Sequence, residues 1–318
     1  LKRRIRYLIL AIFMFVLFLF GYTIWDNNRI IVTEEEVLIK DLPQELEGFT
    51  ILQISDLHEK EFGKNQIKLI ELVNSLQYDS LVITGDLLAD QNSLNYDPIY
   101  MLLEGIRNKE HALFVPGNTD PVKSFNVRKN RSEKHEFIQG LESRGIKLLD
   151  SNYSITKGGS KVYFVDFKKS LQAENNKSEI GGIEALQLAR NDMSILNNLT
   201  EQDVLIGLTH YPIVDIQIDQ IKANPNMKFH NFDLIMAGHY HGGQIRLPFL
   251  GALFVPEPYY KHGGLFPPSD RVKGLWEYQQ TKQYVSAGLG SSKAISFLGF
   301  RLFNTPEINL ISFKNRRE

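Results

Sequence analysis

The chain has 318 residues, 36 Lys plus Arg against 37 Asp plus Glu, 43% apolar residues and no cysteine. That length and apolar fraction allow a large core in one domain or two, and the composition excludes intrinsic disorder, a disulfide scaffold and any thiolate metal site. A net charge of −1 gives no electrostatic reason to expect nucleic acid as a partner, and any metal must be held by His, Asp, Glu, Asn or backbone oxygen.

Lys2, Arg3, Arg4 and Arg6 open the chain, and the 19 residues from Tyr7 to Trp25 carry no charge. As a helix that run is about 28 Å long, near the hydrocarbon thickness of a bilayer. A secretory signal peptide begins the same way. Here, however, the run exceeds the usual signal core, no small-x-small cleavage pattern follows, and Gly21-Tyr22-Thr23-Ile24-Trp25 is an aromatic-flanked helix end. The expectation is an uncleaved single-pass anchor over residues 7–25, with the basic tail 1–6 in the cytoplasm and the remainder outside the cell membrane.

Residues 26–45 read as a linker running into a first strand at Glu36–Lys40, and residues 46–318 as one domain. Short apolar runs recur at Thr50–Ser55, Ser80–Thr84, Ala112–Val115, Val162–Asp166, Val204–Thr209, Leu234–Ala237 and Tyr284–Ser286. Their length and β-branched content indicate buried strands. Helical spacing appears at Asn65–Gln77, where Ile67, Ile70, Val73 and Leu76 fall on one face, and at Glu133–Arg144 and Ile183–Leu199. Lys168–Ser178 reads as an exposed loop. Alternation of this kind is layered α/β, with helices packed on sheet.

Five of the strands run directly into polar residues that can ligate a metal. They lead to Asp56 and His58, to Asp86 after Gly85, to Asn118 after Gly117, to His210, and to His239 and His241 after Gly238. Ligands at the C-terminal ends of strands in an α/β sheet converge on one crevice. Asp56 and His58, like His239 and His241, are two apart and share a face if the segment is extended. Taken singly, Asp-x-His is a common turn or cap, a His after a strand is usually structural, and Gly-Asn and Gly-Asp are ordinary turn chemistry. Five together point to a metal site. The seven donors exceed the need of one zinc-like site and suit two divalent ions sharing a carboxylate, for which Asp86, on a middle strand, is the candidate. A pair of ions ~3.5–4 Å apart can hold a hydroxide and clamp a phosphoryl group for in-line attack.

These motifs, in this order and spacing, resemble the calcineurin-like metallophosphoesterases over residues 46–313. His241-Gly242-Gly243-Gln244-Ile245-Arg246-Leu247-Pro248, Ser286-Ala287-Gly288-Leu289-Gly290 and Arg301-Leu302-Phe303-Asn304-Thr305-Pro306-Glu307 resemble the bacterial membrane-associated YkuE-type branch. The resemblance implies a four-layer αββα sandwich with the metals at its top. It also implies one ion on Asp56, His58 and His241, a second on Asn118, His210 and His239, and Asp86 between them. Mn²⁺, Fe²⁺ and Zn²⁺ all suit such donors, and Mn²⁺ is the favoured expectation. The family's usual Gly-Asn-His-Asp/Glu is here Gly117-Asn118-Thr119-Asp120, so the histidine that normally touches phosphate is missing. Thr119 donates a hydrogen bond but is no proton donor near neutral pH. Asn118, Thr119 and Asp120 are therefore the expected catalytic residues, with Asp120 or water protonating the leaving group, and the substrate shifts toward diphosphates or activated phosphodiesters.

Phe249–Trp276 carries Phe249, Phe254, Tyr259, Tyr260, Phe266 and Trp276, either as ordinary core aromatics or as an apolar wall beside the metals. Arg246, Lys261 and His262 could meet phosphate charge. With the anchor, this stretch favours a phospholipid or lipid-linked substrate. Soluble phosphodiesters or nucleotides, or a non-catalytic metal-binding role at the cell surface, are the alternatives.

Overall fold

Alternating side chains within single strands set the layering. In Ser80–Ile83, Leu81 and Ile83 join one apolar cluster while Val82, pointing the other way, joins a second. The computed structural model describes residues 2–126, 131–171, 193–292 and 299–316. Helix α1 (Lys2–Asn27) leads into β1 (Ile31–Ile39), β2 (Thr50–Ile54), α2 (Ile67–Ser75), β3 (Ser80–Ile83), α3 (Asp97–Gly105) and β4 (Ala112–Phe114). A small hairpin of β5 (Lys123–Asn126) and β6 (Arg131–Lys134) is followed by α4 (Glu136–Ser143), β7 (Lys147–Leu148), β8 (Asn152–Lys157), β9 (Ser160–Asp166) and a single turn, α5 (Phe167–Ser170). Then come β10 (Asp203–Leu208), α6 (Asp215–Ala223), β11 (Leu234–Ala237), the short pair β12 (Arg246–Leu247) and β13 (Gly251–Ala252), β14 (Gly274–Tyr278), β15 (Thr281–Val285) and β16 (Glu307–Asn315).

Two six-stranded sheets result, in the orders β1-β16-β2-β3-β4-β7 and β14-β15-β11-β10-β9-β8. In the first, β2, β3, β4 and β7 run parallel and β16 is antiparallel to β2; in the second, β15, β11, β10 and β9 run parallel. Val82, Leu113 and Ile311 of the first sheet share a buried cluster with Phe164, Ile206 and Met236 of the second, so the sheets pack face to face. The outer face of the first sheet is covered by Leu69 and Val73 of α2, Leu102 of α3 and Phe137 and Leu141 of α4. The outer face of the second carries Phe167 and Ile218, from α5 and α6. This is the αββα sandwich.

Several elements differ from their sequence reading. The first strand begins at Ile31, before Glu36, because it pairs in parallel with β16 along its whole length. Val73 of the expected stripe is buried, with Ile70 and Leu76 half-buried against the same cluster, while Leu69 joins it and Ile67 faces solvent. Lys134 belongs to a strand, and the helix there starts one residue after His135, whose ring accepts from Phe137 N. Of Lys168–Ser178, Ser170 and Leu171 are buried beneath the α5 turn and residues 172–178 lie outside the described residues. Ile183–Leu199 falls mostly outside them too, with a 3₁₀ turn at Ser194–Asn197. Among the described residues, α1 alone is long and apolar enough to cross a membrane; its most apolar stretch has mean hydropathy 2.5 and none of it is buried.

Candidate metal centre

Parallel strands in register bring their C-terminal ends to one edge: Ile54 lies beside Ile83, Ile83 beside Phe114, and Leu208 beside Met236. The chain leaves each strand in a tight turn. Asp56, His58, Asp86, His239 and His241 all adopt positive φ, between 46° and 69°, a conformation that is sparse for residues with side chains and tends to mark functional sites. Asp56 and His58 thus converge by turning rather than by sharing one face of an extended segment. Gly238 leaves no room for a side chain: a Cβ there would lie 2.0 Å from Ser55 Oγ and 2.4 Å from Asp56 Oδ2.

Two groups of potential ligands form, Asp56–His58–Asp86–His241 and Asp86–His210–His239, each with ligand atoms within 4.8 Å of one another. Asp86 belongs to both. Its Oδ2 lies 3.6 Å from His58 Nε2 and 3.3 Å from His210 Nε2. His58 Nε2 is 3.2 Å from His241 Nε2, which is 3.6 Å from Asp56 Oδ1, and His210 Nε2 is 3.1 Å from His239 Nδ1. Backbone carbonyls select the tautomers. Leu88 O faces His58 Nδ1 at 3.1 Å and Thr84 O faces His210 Nδ1 at 2.8 Å, so both Nδ1 atoms donate and both Nε2 atoms face inward. A buried set of carboxylate oxygens and imidazole nitrogens facing one another has the chemistry of a divalent-cation site.

Burial raises the Asp56 carboxyl to about 7, with repulsion from Asp86 adding to the rise and the His210 charge opposing it. Asp86 is buried as well, yet hydrogen bonding and charge from His210, with His58 behind, hold it below the usual carboxylate range. Against its own burial, His210 is lifted to about 9 by Asp86. Burial and the His210 charge depress His239 to about 3, while burial and its cationic neighbours push His241 well below the ordinary histidine value.

A model of the calcineurin-like phosphoesterases matches residues 49–243, more than half of the chain. The chain belongs to the calcineurin-like phosphoesterase family. It is 27% identical over 301 residues to the metallophosphoesterase YkuE of Bacillus subtilis (strain 168), covering 93% of this chain and 90% of that protein. It is 25% identical to YkoQ of the same organism over 94% of this chain and 96% of that one. The UDP-2,3-diacylglucosamine pyrophosphatase LpxG of Chlamydia muridarum (strain MoPn / Nigg) is 27% identical, covering 83% of each chain. The protein is thus a hydrolase acting on phosphoester bonds, in the YkuE-type branch.

In this phosphoesterase the Gly117–Asp120 turn serves the shared carboxylate. Thr119 donates to Asp86 Oδ1 from N at 2.9 Å and from Oγ1 at 3.0 Å, which leaves Oδ2 for the two histidines. Asp120 accepts from Asp86 N at 2.7 Å, Gly117 N at 2.8 Å and Leu87 N at 2.9 Å, so its buried carboxylate clasps two turns; burial, with repulsion from Asp86, raises its pKa above the usual carboxylate value while those amides oppose the rise. Asn118 stands exposed on the rim of a cavity of about 360 Å³, lined also by Asp86, His239 and His241 and by the apolar Ile245, Leu253, Phe254 and Pro256. A larger cavity, about 520 Å³, is lined by residues such as Leu42, Leu199 and His230 and by none of the predicted ligands.

Of the aromatic stretch, Phe254 lines the site cavity, Phe249, Tyr259 and Phe266 are exposed, and Trp276 is buried in the outer core under Arg271. Arg246 donates to Gly242 O at 2.8 Å, and Lys261 and His262 are exposed. Sequence reasoning missed the relay behind Asp56, in which Gln53 Nε2 donates to Thr84 Oγ1, Thr84 to Ser55 Oγ, and Ser55 to Asp56 Oδ2 at 2.5 Å. Its only signal was three buried polar residues inside or just after apolar strands.

Proposed function

We propose that this hydrolase is a membrane-anchored phosphoesterase that uses two divalent cations, Mn²⁺ favoured, to split a diphosphate or activated phosphodiester in a lipid-linked substrate. The observation that carries the reading is the single oxygen, Asp86 Oδ2, facing both ligand groups at 3.6 and 3.3 Å. Asp56, His58 and His241 would hold one cation and Asn118, His210 and His239 the other, with Asp86 common to both. Such cations supply Lewis-acid activation of water and neutralise phosphoryl charge.

The chain's own residues provide orientation. Carbonyls of Leu88 and Thr84 fix the two imidazoles and Thr119 fixes Asp86, and Asn118, which borders the cavity, would donate to a phosphoryl oxygen. With Thr119 and Asp120 both engaged, the leaving group takes its proton from water. Substrates whose leaving group needs little protonation are favoured, a phosphate in a diphosphate above all. The apolar side of the cavity suits an acyl or prenyl chain, and the relative LpxG carries a pyrophosphatase name on a diacylated sugar nucleotide. Residues 7–25 would span the cell membrane, with residues 1–6 in the cytoplasm and the catalytic domain outside, so that substrate is met at the bilayer. Full-length protein in detergent should cleave bis-p-nitrophenyl phosphate with Mn²⁺, and Asp86→Asn should abolish that cleavage; an active variant would overturn the proposal.

A further inference from the structure

Among the described residues, Arg301 is the largest side chain with no solvent exposure, and it is no candidate ligand. Its guanidinium spends its donors on backbone carbonyls: Nε on Asn304 O at 2.7 Å, Nη1 on Gly290 O at 2.7 Å, and Nη2 on Ala287 O at 2.7 Å and His241 O at 3.3 Å. A buried cation persists only when its donors are matched in this way. Two of those carbonyls belong to the turn that backs Asp56. There Leu289 N donates to Ser55 O at 3.1 Å and Gly290 N to Asp56 O at 2.6 Å, and a Cβ on Gly288 would lie 2.7 Å from Asp56 Cβ. A third is the carbonyl of His241, which Asn304 Nδ2 also holds at 2.6 Å.

The other side of Arg301 faces the N-terminal helix. Asn27, the last residue of α1, pairs with its backbone in both directions, accepting from Arg301 N at 2.8 Å and donating to Arg301 O at 2.7 Å. Asp26, fully buried, accepts from Thr305 Oγ1 at 2.8 Å, and the Tyr22 ring lies 5.3 Å from Phe303. The apolar helix is therefore fastened to residues 301–305, and through Arg301 to the backbone at His241 and behind Asp56. The second ligand group is held by other partners: His210 by Thr84 O, and Asp86 by Thr119.

We propose that Asn27 and Arg301 are positioning residues that join the end of the apolar helix to one half of the metal centre, the half made by Asp56, His58 and His241. The link rests on the two-cation reading above. Outer-shell partners of metal ligands are commonly worth ~10- to 100-fold in affinity, so breaking it should weaken one cation and spare the other.

The test uses the full chain in detergent micelles. Mn²⁺ is titrated by calorimetry, and amide hydrogen exchange at residues 287–290 is followed in metal-free protein. Wild type should bind two ions. Asn27→Ala should weaken one about tenfold or more while leaving the other within about twofold, speed exchange at 287–290, and lower kcat with little change in KM. Asn27→Asp keeps an acceptor for Arg301 N and should recover part of the loss, which guards against a variant that merely folds poorly. Two ions bound as in wild type, or both weakened equally, would overturn the link. A wild type that binds one ion would instead sink the two-cation reading, and unchanged exchange in Asn27→Ala would then overturn the link by itself.

Discussion

Protons and cations compete for the same lone pairs, so metal affinity should follow pH with a slope set by the protonated ligands. His210 keeps its proton up to about 9 and Asp56 up to about 7, whereas His239 is neutral down to about 3. Both raised values mean a proton bound below that pH and released above it, so affinity rises with pH. The cation proposed for His210, His239 and Asp86 must displace the His210 proton throughout pH 6–8, a gain of about tenfold per pH unit and roughly 100-fold over the interval. The cation proposed for Asp56, His58 and His241 meets a group that half-titrates within the interval, and gains roughly tenfold. Anaerobic Mn²⁺ calorimetry at pH 6, 7 and 8, in buffer pairs of different ionisation heat, reads affinity and proton release together. Two affinities of unequal slope with proton release are expected. Affinities flat across the interval with no proton released would refute the assignment of these groups as ligands.

Three further outcomes follow from the same geometry. Gly238→Ala would place its Cβ on Ser55 Oγ and Asp56 Oδ2; it should destabilise the metal-free protein by ~1–3 kcal/mol, read by thermal melting, and weaken the Asp56 cation. Thr119→His exchanges the Asp86 hydrogen bond for a proton donor, so the ratio of alkyl to p-nitrophenyl diester hydrolysis should rise by ~10-fold or more. An unchanged ratio would contradict the view that the leaving group draws its proton from water. Phe254→Asp puts charge on the apolar wall and should cost roughly tenfold on a vesicle-borne lipid diphosphate, the worth of about one buried apolar contact, while sparing bis-p-nitrophenyl phosphate. Equal losses on both would argue against a lipid chain in the cavity.

The layered fold and the convergence of Asp56, His58, Asp86, His210, His239 and His241 were legible because each residue follows a short apolar run, and parallel register carries the ends of such runs to one edge. What holds those residues was not legible. The tautomers of His58 and His210 depend on the carbonyls of Leu88 and Thr84, which any sequence would supply. The amides of Asp86, Leu87 and Gly117 that surround the Asp120 carboxylate leave no mark on the sequence either. β16 escaped notice because Glu307 and Asn309 interrupt its apolar pattern; Glu307 is buried against Ala287 N and Lys273, and Asn309 against the Tyr284 hydroxyl. The early half of β1 was hidden by its acidic run, tolerable on an edge strand whose outer side meets water.

The central claim is that one carboxylate oxygen serves two cations. Anomalous diffraction at the manganese edge, from crystals of the Mn²⁺-loaded protein, tests it most directly. The account predicts two peaks about 3.5–4 Å apart on either side of Asp86 Oδ2, one beside His58 and His241 and the other beside His210 and His239. A solitary peak, or peaks away from these histidines, would contradict it.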